Sequence, residues 1–465
     1  MTLLLLLACT PSPPSLQGTA GPNLLLITVD TLRADHLGAY GYSRNTTPEM
    51  DRLAKNGVRF TDAYTPRGLT WPALASLMTG LYPVQHGVRT NAMLLENRLT
   101  TLAEVLTGQG YKSGAILTNS FDQHWEGFPK VIPIDRDPRD GVASDQAQAW
   151  LSTAQAPFFL WVHFVAPHDP WVAHEETKNF QSWFYRGPMN GSVSARSRWM
   201  LTRGSEEDRQ AAIDLYDGEV VYTDAMIGEL LEKLDDLGLK ESTLVALTAD
   251  HGEELGDHGH YLHHQSSPWE GVARVPLILS QPGVITPGVL DVPTDLLDVG
   301  PTLLELLGKG QALGEGRSLV PLLRGESLPP KLIVAELEEQ ILILRSPRWT
   351  YIQNPNNYAP PLVSPLELRT GGLGPQGNAY ALPRYGLYDR LQDRYERVNL
   401  AEKERTALRE MQGLATLWAQ EYGWPQGQRA DVDPDLRAKM EALGYWFSEP
   451  TGTSTPGSLP AVTSP

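Results

Sequence analysis

TLVALTADHGEELGDHG, residues 243–259, is the stretch that decides the fold. Its first seven residues form an unbroken run of apolar and β-branched side chains without polar alternation, which is how a strand reads when both faces of its sheet are covered. The run then stops at Asp250, His251 and Gly252. Open α/β sheets bind ligands at the carboxyl ends of their strands, so an acid and an imidazole in that position form a candidate site. Adjacent carboxylate and imidazole donors suit a divalent cation held through oxygen and nitrogen. Two further runs have the same character. NLLLITVD (23–30) ends in a second acid, Asp30, and FFLWVHFV (158–165) leads into APHDP (166–170). Helical and strand patterns alternate between them: 48–55, 58–63, 102–108, 112–118, 144–153, 208–237, 275–280 and 295–307. That alternation predicts an α/β fold, a mainly parallel central sheet sandwiched by helices.

A second stretch, PRGLTWPALASLMTGLYPVQH (66–86), places a hydroxyl, Thr70, at the start of a helix whose first turn contains Pro72. Proline is tolerated there because its missing N–H would have had no partner. A hydroxyl at the N-cap would meet unpaired backbone donors and the positive end of the helix dipole, a seat for an anion.

Beyond about Gly325 the pattern changes to short strands (332–345, 349–353), a Pro/Gly-rich stretch (355–383) and a helix (404–424), read as a smaller α+β subdomain. The expected organisation is a leader and Pro/Ser linker over 1–22, a catalytic domain over 23–327 and the smaller C-terminal subdomain over 328–447. The tail, 448–465, has too little apolar content to offset the entropy of ordering. The chain has 465 residues, 41% of them hydrophobic, and a formal net charge of −17 with no basic run, which argues against nucleic acid or an anionic membrane surface as a partner. The only cysteine is Cys9, so disulfides within the chain and cysteine chemistry deeper in it are excluded. LLAC (6–9) follows a leucine run too short to span a bilayer. It resembles the lipobox of bacterial lipoproteins, which implies export to the periplasm or tethering to the outer membrane by lipid on Cys9.

Taken together, several stretches resemble the sulfatase family of the alkaline-phosphatase superfamily. They are LLLITVDTLRADHLGAYGY, TPEMDRLAKNGVRFTDAYT, TWPALASLMTGLYPVQHGVRTN, VAPHDPW, ADHGEELGDHG, WEGVARVPLIL, DLLDVGPTLLELLG and GLYDRLQDRYERVNLA, in the family's order between about Asn23 and Ala401. The resemblance implies that Asp30, Asp250 and His251 are metal ligands and that Thr70 is both ligand and nucleophile. It also implies that Asn91 touches the substrate anion and that His168 faces the leaving group or anion. His263 or His264 would occupy the place of a family Lys or His, with His264 favoured.

The departures from the family pattern bear on the chemistry. Sulfatases carry Cys or Ser at the position of Thr70 and oxidise it to formylglycine; threonine, a secondary alcohol, would give a ketone, so no formylglycine is expected. The paired acid after the first strand is Asp30-Thr31, with one carboxylate missing, which favours Zn²⁺ or Mn²⁺ over Ca²⁺ for the one divalent ion. Leu74 stands where the family has arginine, and the stretch after Tyr111 reads LTNS (117–120) instead of carrying the family's Lys/His. The function expected is metal-dependent hydrolysis of sulfate, phosphate or phosphonate esters with Thr70 as attacking group, on a small-molecule, glycan or lipid ester. The alternative is a sulfatase-fold protein that has lost catalysis and binds anionic glycans or lipid head groups.

Overall fold

The computed structural model describes residues 15–18, 21–91, 93–118, 131–133, 140–172, 174, 177, 184–192, 195, 204–258, 264–310, 312–337, 340–358 and 382–424. Cys9, His263, the 448–465 tail and most of the Pro/Gly-rich stretch lie outside these.

In chain order the main elements begin with β1 (Asn23–Val29), α1 (Pro48–Lys55), β2 (Val58–Tyr64), α2 (Thr70–Thr79), α3 (Pro83–His86), α4 (Leu102–Gly108), β3 (Lys112–Leu117), β4 (Val131–Pro133), α5 (Asp140–Leu151) and β5 (Phe158–Phe164). They continue with α6 (Glu206–Asp236), β6 (Thr243–Ala249), α7 (Glu270–Ala273), β7 (Arg274–Ser280), β8 (Gly288–Leu290), β9 (Thr294–Asp295), α8 (Val299–Leu306), α9 (Val320–Leu323), β10 (Ile333–Leu337), β11 (Ile341–Arg345), β12 (Trp349–Gln353), β13 (Tyr385–Asp389) and α10 (Arg405–Glu421). Among the described residues one sheet has nine strands, in the order β4-β3-β5-β1-β6-β7-β2-β8 with β9 beside β2.

The sheet is mainly parallel, as the unbroken apolar runs require. Its centre, β1 between β5 and β6, is parallel on both sides, and every residue of these three strands is buried. Burying each large aliphatic side chain here is worth about 1.5–3 kcal/mol. Only β7 runs antiparallel, to both β6 and β2. Residues 250–273 separate β6 from β7 and end in the one-turn helix α7.

One expected element is redrawn and one is resolved in detail. The helix read over 295–307 is a short β9, a 3-10 turn at Leu296–Asp298 and α8, because Asp295 accepts the Leu297 N–H at 3.1 Å and stops the ladder with a local cap. The run 332–345 is a hairpin, β10 and β11, within an antiparallel sheet β10-β11-β12-β13. Helix α10 lays Ala407, Met411, Leu414, Ala415 and Trp418 on this sheet at helical spacing, against Leu342, Leu344 and Tyr351. This small antiparallel sheet with its helix is the C-terminal subdomain. No helix among the described residues is long and apolar enough to cross a membrane.

Candidate active site and metal centre

The strand register brings the site together. Thr28 of β1 lies opposite His163 of β5 and Thr248 of β6, so these three share one face of the sheet. Side chains on a strand alternate with period two, which puts Asp30 and Asp250, each two residues further on, on that same face at the strand ends. Asp30, His163 and Asp250 each offer a ligand atom, and these atoms lie within 4.8 Å of one another. All three residues are buried. His251 closes the ring, its Nε2 3.4 Å from Asp250 Oδ2 and 3.8 Å from Asp30 Oδ1.

Thr70 reaches the same point from α2. The sequence places its hydroxyl at the N-cap; in the structure Leu69 holds the N-cap in an extended conformation and Thr70 is the first helical residue. Its hydroxyl therefore turns from the helix end to Asp30, donating to Oδ2 over 3.5 Å. The open helix end is met by Asn91, whose Oδ1 accepts the Trp71 N–H at 2.9 Å. Asn91 thus serves the local structure that aims Thr70. Gly68 lets this turn close on the site: a Cβ there would lie 2.7 Å from the His264 carbonyl oxygen and 2.6 Å from Val272 Cγ1.

Three imidazoles run outward from the acids. His251 stacks on His264 with centroids 4.3 Å apart, and His264 meets His168 edge-on at 5.1 Å. His264 is buried with Nδ1 3.2 Å from Glu253 Oε2, while the His168 side chain is 27% exposed with Nδ1 2.6 Å from the Asp169 carbonyl oxygen. The DHGEELGDHG loop is held by two arginines that the sequence gave no reason to select. Arg33 donates to the Glu253 carbonyl at 3.0 Å and to Asp257 at 2.5 Å, and Arg209 donates to the Leu255 carbonyl and to Asp257. Leu74 is buried in the main core, and Thr31 turns its hydroxyl back onto the Asp30 carbonyl, so neither contributes a charge.

The electrostatics call for a cation. Burial, and then the charge of Asp250, holds the Asp30 carboxyl well above the usual carboxylate range. Burial raises Asp250 as well, against the His251 and Thr31 N–H groups that favour its ionised form. His163 is pushed down to about 4, first by burial, and is neutral near pH 7. Among the described residues Asp30 Oδ1, Asp250 Oδ2 and His163 Nε2 are buried without a hydrogen-bond partner. Buried polar atoms left so cost one to several kcal/mol each, and a divalent ion satisfies all of them at once. Four ligands at about 2.0–2.2 Å from a tetrahedral ion stand roughly 3.3–3.6 Å apart, comparable to the separations around Asp30. The donors present fit an ion.

The sequence model of the sulfatase family matches residues 22–309. The chain belongs to the sulfatase family. This sulfatase-family hydrolase is 29% identical over 356 residues to arylsulfatase A of Homo sapiens, across 67% of its own length and 69% of that protein's. It is 29% identical over 441 residues to the choline-sulfatase of Rhizobium meliloti (strain 1021), covering 77% and 84% of the two chains. The structure of the phosphonate monoester hydrolase of Agrobacterium radiobacter superposes with a TM-score of 0.65 at 22% identity, over 86% of this chain and 96% of that one, and so shares its fold. The family's members are typically metal-dependent.

Proposed function

We propose that this sulfatase-family protein hydrolyses sulfate, phosphate or phosphonate esters by direct attack of the Thr70 hydroxyl, without formylglycine. The observation that carries the reading is the Thr70 Oγ1 atom 3.5 Å from Asp30 Oδ2, at the edge of the buried cluster of unsatisfied donors. Asp30, Asp250, His251 and Thr70 would hold a divalent ion, Zn²⁺ or Mn²⁺ in preference to Ca²⁺. Such an ion lowers the proton affinity of the attacking hydroxyl and offsets the charge of the ester.

The chain's own residues then divide the work. Thr70 Oγ1 forms a bond to sulfur or phosphorus while its proton passes to Asp30 Oδ2, and the bond to the leaving oxygen breaks. His168, the outermost and most exposed of the three imidazoles, protonates that leaving oxygen. His264, packed on His251 and backed by Glu253, holds a non-bridging oxygen of the ester. Water then attacks the sulfur or phosphorus with His168 taking its proton, the bond to Thr70 Oγ1 breaks, and Asp30 Oδ2 returns its proton to that oxygen. The Arg33 clamp fixes the loop bearing His251, so little reorganisation is needed at the moment of reaction.

The likeness to arylsulfatase A and choline-sulfatase supports sulfate esters, and that to the phosphonate monoester hydrolase supports phosphonate esters. The threonine nucleophile favours the phosphoryl and phosphonyl side. Leu74 and Thr31, neither of which supplies a charge, favour the second reading, an inactive protein that binds anionic glycans or lipid head groups. Thr70→Val separates the two. With added Zn²⁺ or Mn²⁺, aryl sulfate, phosphate, phosphodiester and phosphonate esters are turned over by the wild type and at least about 10³-fold more slowly by the variant. Undiminished turnover in Thr70→Val removes Thr70 as nucleophile, and no wild-type turnover alongside retained anion binding establishes the second reading. Cys9 is proposed as the point of lipid attachment outside the cytoplasm; fatty-acid labelling lost in Cys9→Ala tests it.

A further inference from the structure

We infer that His163 is a metal ligand, the second imidazole of the centre. Nothing in the motif pattern points to it: it stands in the middle of an apolar strand run, FFLWVHFV. Its Nε2 lies 3.8 Å from Asp30 Oδ2, too far for a hydrogen bond and close enough for two donors of one ion. That Nε2 atom is buried without a hydrogen-bond partner among the described residues, and it lies in the cluster where His163, Asp30 and Asp250 converge.

The far side of the ring is built for this role. Nδ1 is 2.8 Å from Thr28 Oγ1, and Thr28 also accepts the Trp161 Nε1–H at 2.9 Å. Trp161 and Thr28 thus fix the ring plane. With the proton on Nδ1 donated to Thr28, the lone pair is on Nε2 and points at the two carboxylates. That tautomer sets a lone pair against two carboxylates; a proton on Asp30 relieves part of this, and a cation between the three groups satisfies all of them together. In the other tautomer an Nε2–H faces Asp30 at a distance where it makes no hydrogen bond. Metal-binding imidazoles are oriented in this way by a partner on the other nitrogen.

Thr31, next to Asp30 in the chain, cannot take the place. Thr31 holds φ of +58°, a conformation costly for a β-branched residue. That conformation spends its N–H on Asp250 Oδ1 and its hydroxyl on the Asp30 carbonyl. The strain sets Asp250 and removes Thr31 from the ligand sphere, where a second carboxylate would make the centre a harder, all-oxygen one. With His163 and His251 both present, the donor set is two carboxylates and two imidazoles beside Thr70, a set that selects Zn²⁺ or Mn²⁺ and discriminates against Ca²⁺.

This inference rests on the metal centre proposed above, and the test separates the two. The full-length protein is loaded with one equivalent of Zn²⁺, and X-ray absorption at the zinc edge counts the coordinated imidazoles. The wild type gives two, and His163→Gln, checked as folded by circular dichroism, gives one with affinity for Zn²⁺ lowered at least about tenfold in competition with a chromophoric chelator. Thr28→Val keeps two imidazoles and weakens binding less. An imidazole count that does not fall in His163→Gln, or unchanged affinity in that variant, overturns the role of His163 while leaving the centre standing. Absence of any stoichiometric Zn²⁺ or Mn²⁺ binding by the wild type overturns both. If His163→Gln fails to fold, the count in His251→Gln decides: an imidazole that remains there supports His163, and none overturns it.

Discussion

Asp30→Asn inverts its effect on stability according to whether the ion is present. Asp30 and Asp250 bring two carboxylates into a buried site where their ligand atoms and that of His163 lie within 4.8 Å of one another. At the far end of that range two unit charges repel by about 3.5 kcal/mol at an effective dielectric of 20. The raised proton affinity of Asp30 lets a proton relieve part of the repulsion. Asparagine removes the charge, keeps an oxygen to accept from Thr70, and can donate to Asp250. The chelated variant is therefore expected to be more stable than the chelated wild type by roughly 1–3 kcal/mol, the repulsion above setting the scale. Adding Zn²⁺ or Mn²⁺ at a hundred times its dissociation constant stabilises the wild type by about 2.7 kcal/mol. The variant, short of one anionic ligand, gains little, so the order reverses. The assay is thermal unfolding with chelator and with ion, at about 2 °C per kcal/mol. A chelated Asp30→Asn less stable than wild type, or equal stabilisation of both by the ion, refutes the claim that the cluster is short of positive charge.

Gly68→Ala is expected to cost more in activity than in stability. Its Cβ would meet the His264 carbonyl oxygen and Val272, which separates the Thr70 turn from the His264 turn by some tenths of an ångström; overpacking of this kind costs about 1–3 kcal/mol and misplacing reacting groups costs up to about 10²-fold in rate. Denaturant unfolding and turnover measured on the same sample check the split. Asp224 of α6 accepts the Glu49 and Met50 N–H groups at the start of α1, yet burial pushes it up to about 7. The folded form keeps a proton that the unfolded chain releases from about pH 4 upward. Its contribution is fully present below that pH and is lost as pH rises towards 7, at roughly 1.4 kcal/mol per unit. Asp224→Asn flattens the fall in urea-measured stability between pH 5 and 7; parallel pH profiles for the two proteins would contradict the assignment.

How much of this was legible in the sequence follows from what each signal depends on. The runs at 23–29, 158–164 and 243–249 declared buried parallel strands because covering both faces abolishes alternation, a property of the local sequence. Thr70 and the Asp250-His251 pair were legible for the same reason: each sits at a chemical break in a regular pattern. The antiparallel course of β7 was not, since the sequence between β6 and β7 carries no periodicity. The Arg33–Asp257 clamp was hidden because a charged residue in a loop looks like solvated surface until the loop closes over it. Here closure leaves Arg33 only 2% exposed.

His163 was hidden by a different cause. A histidine within an apolar strand says only that something polar faces something polar; which partner it faces depends on register. Once β5 is placed beside β1, the pairing of His163 with Thr28 fixes the rest, because Thr28 and Asp30 have the same parity. Parity then carries the argument across the sheet, since Thr248 pairs with Thr28 and Asp250 shares the parity of Thr248. Three strands of unrelated sequence place their polar residues on one face at one end, at positions related by even steps. An apolar core admits a buried imidazole and two buried acids only where something offsets the cost of desolvating them. The coincidence of parity on three neighbouring strands is thus evidence for a shared cation that no single motif contains.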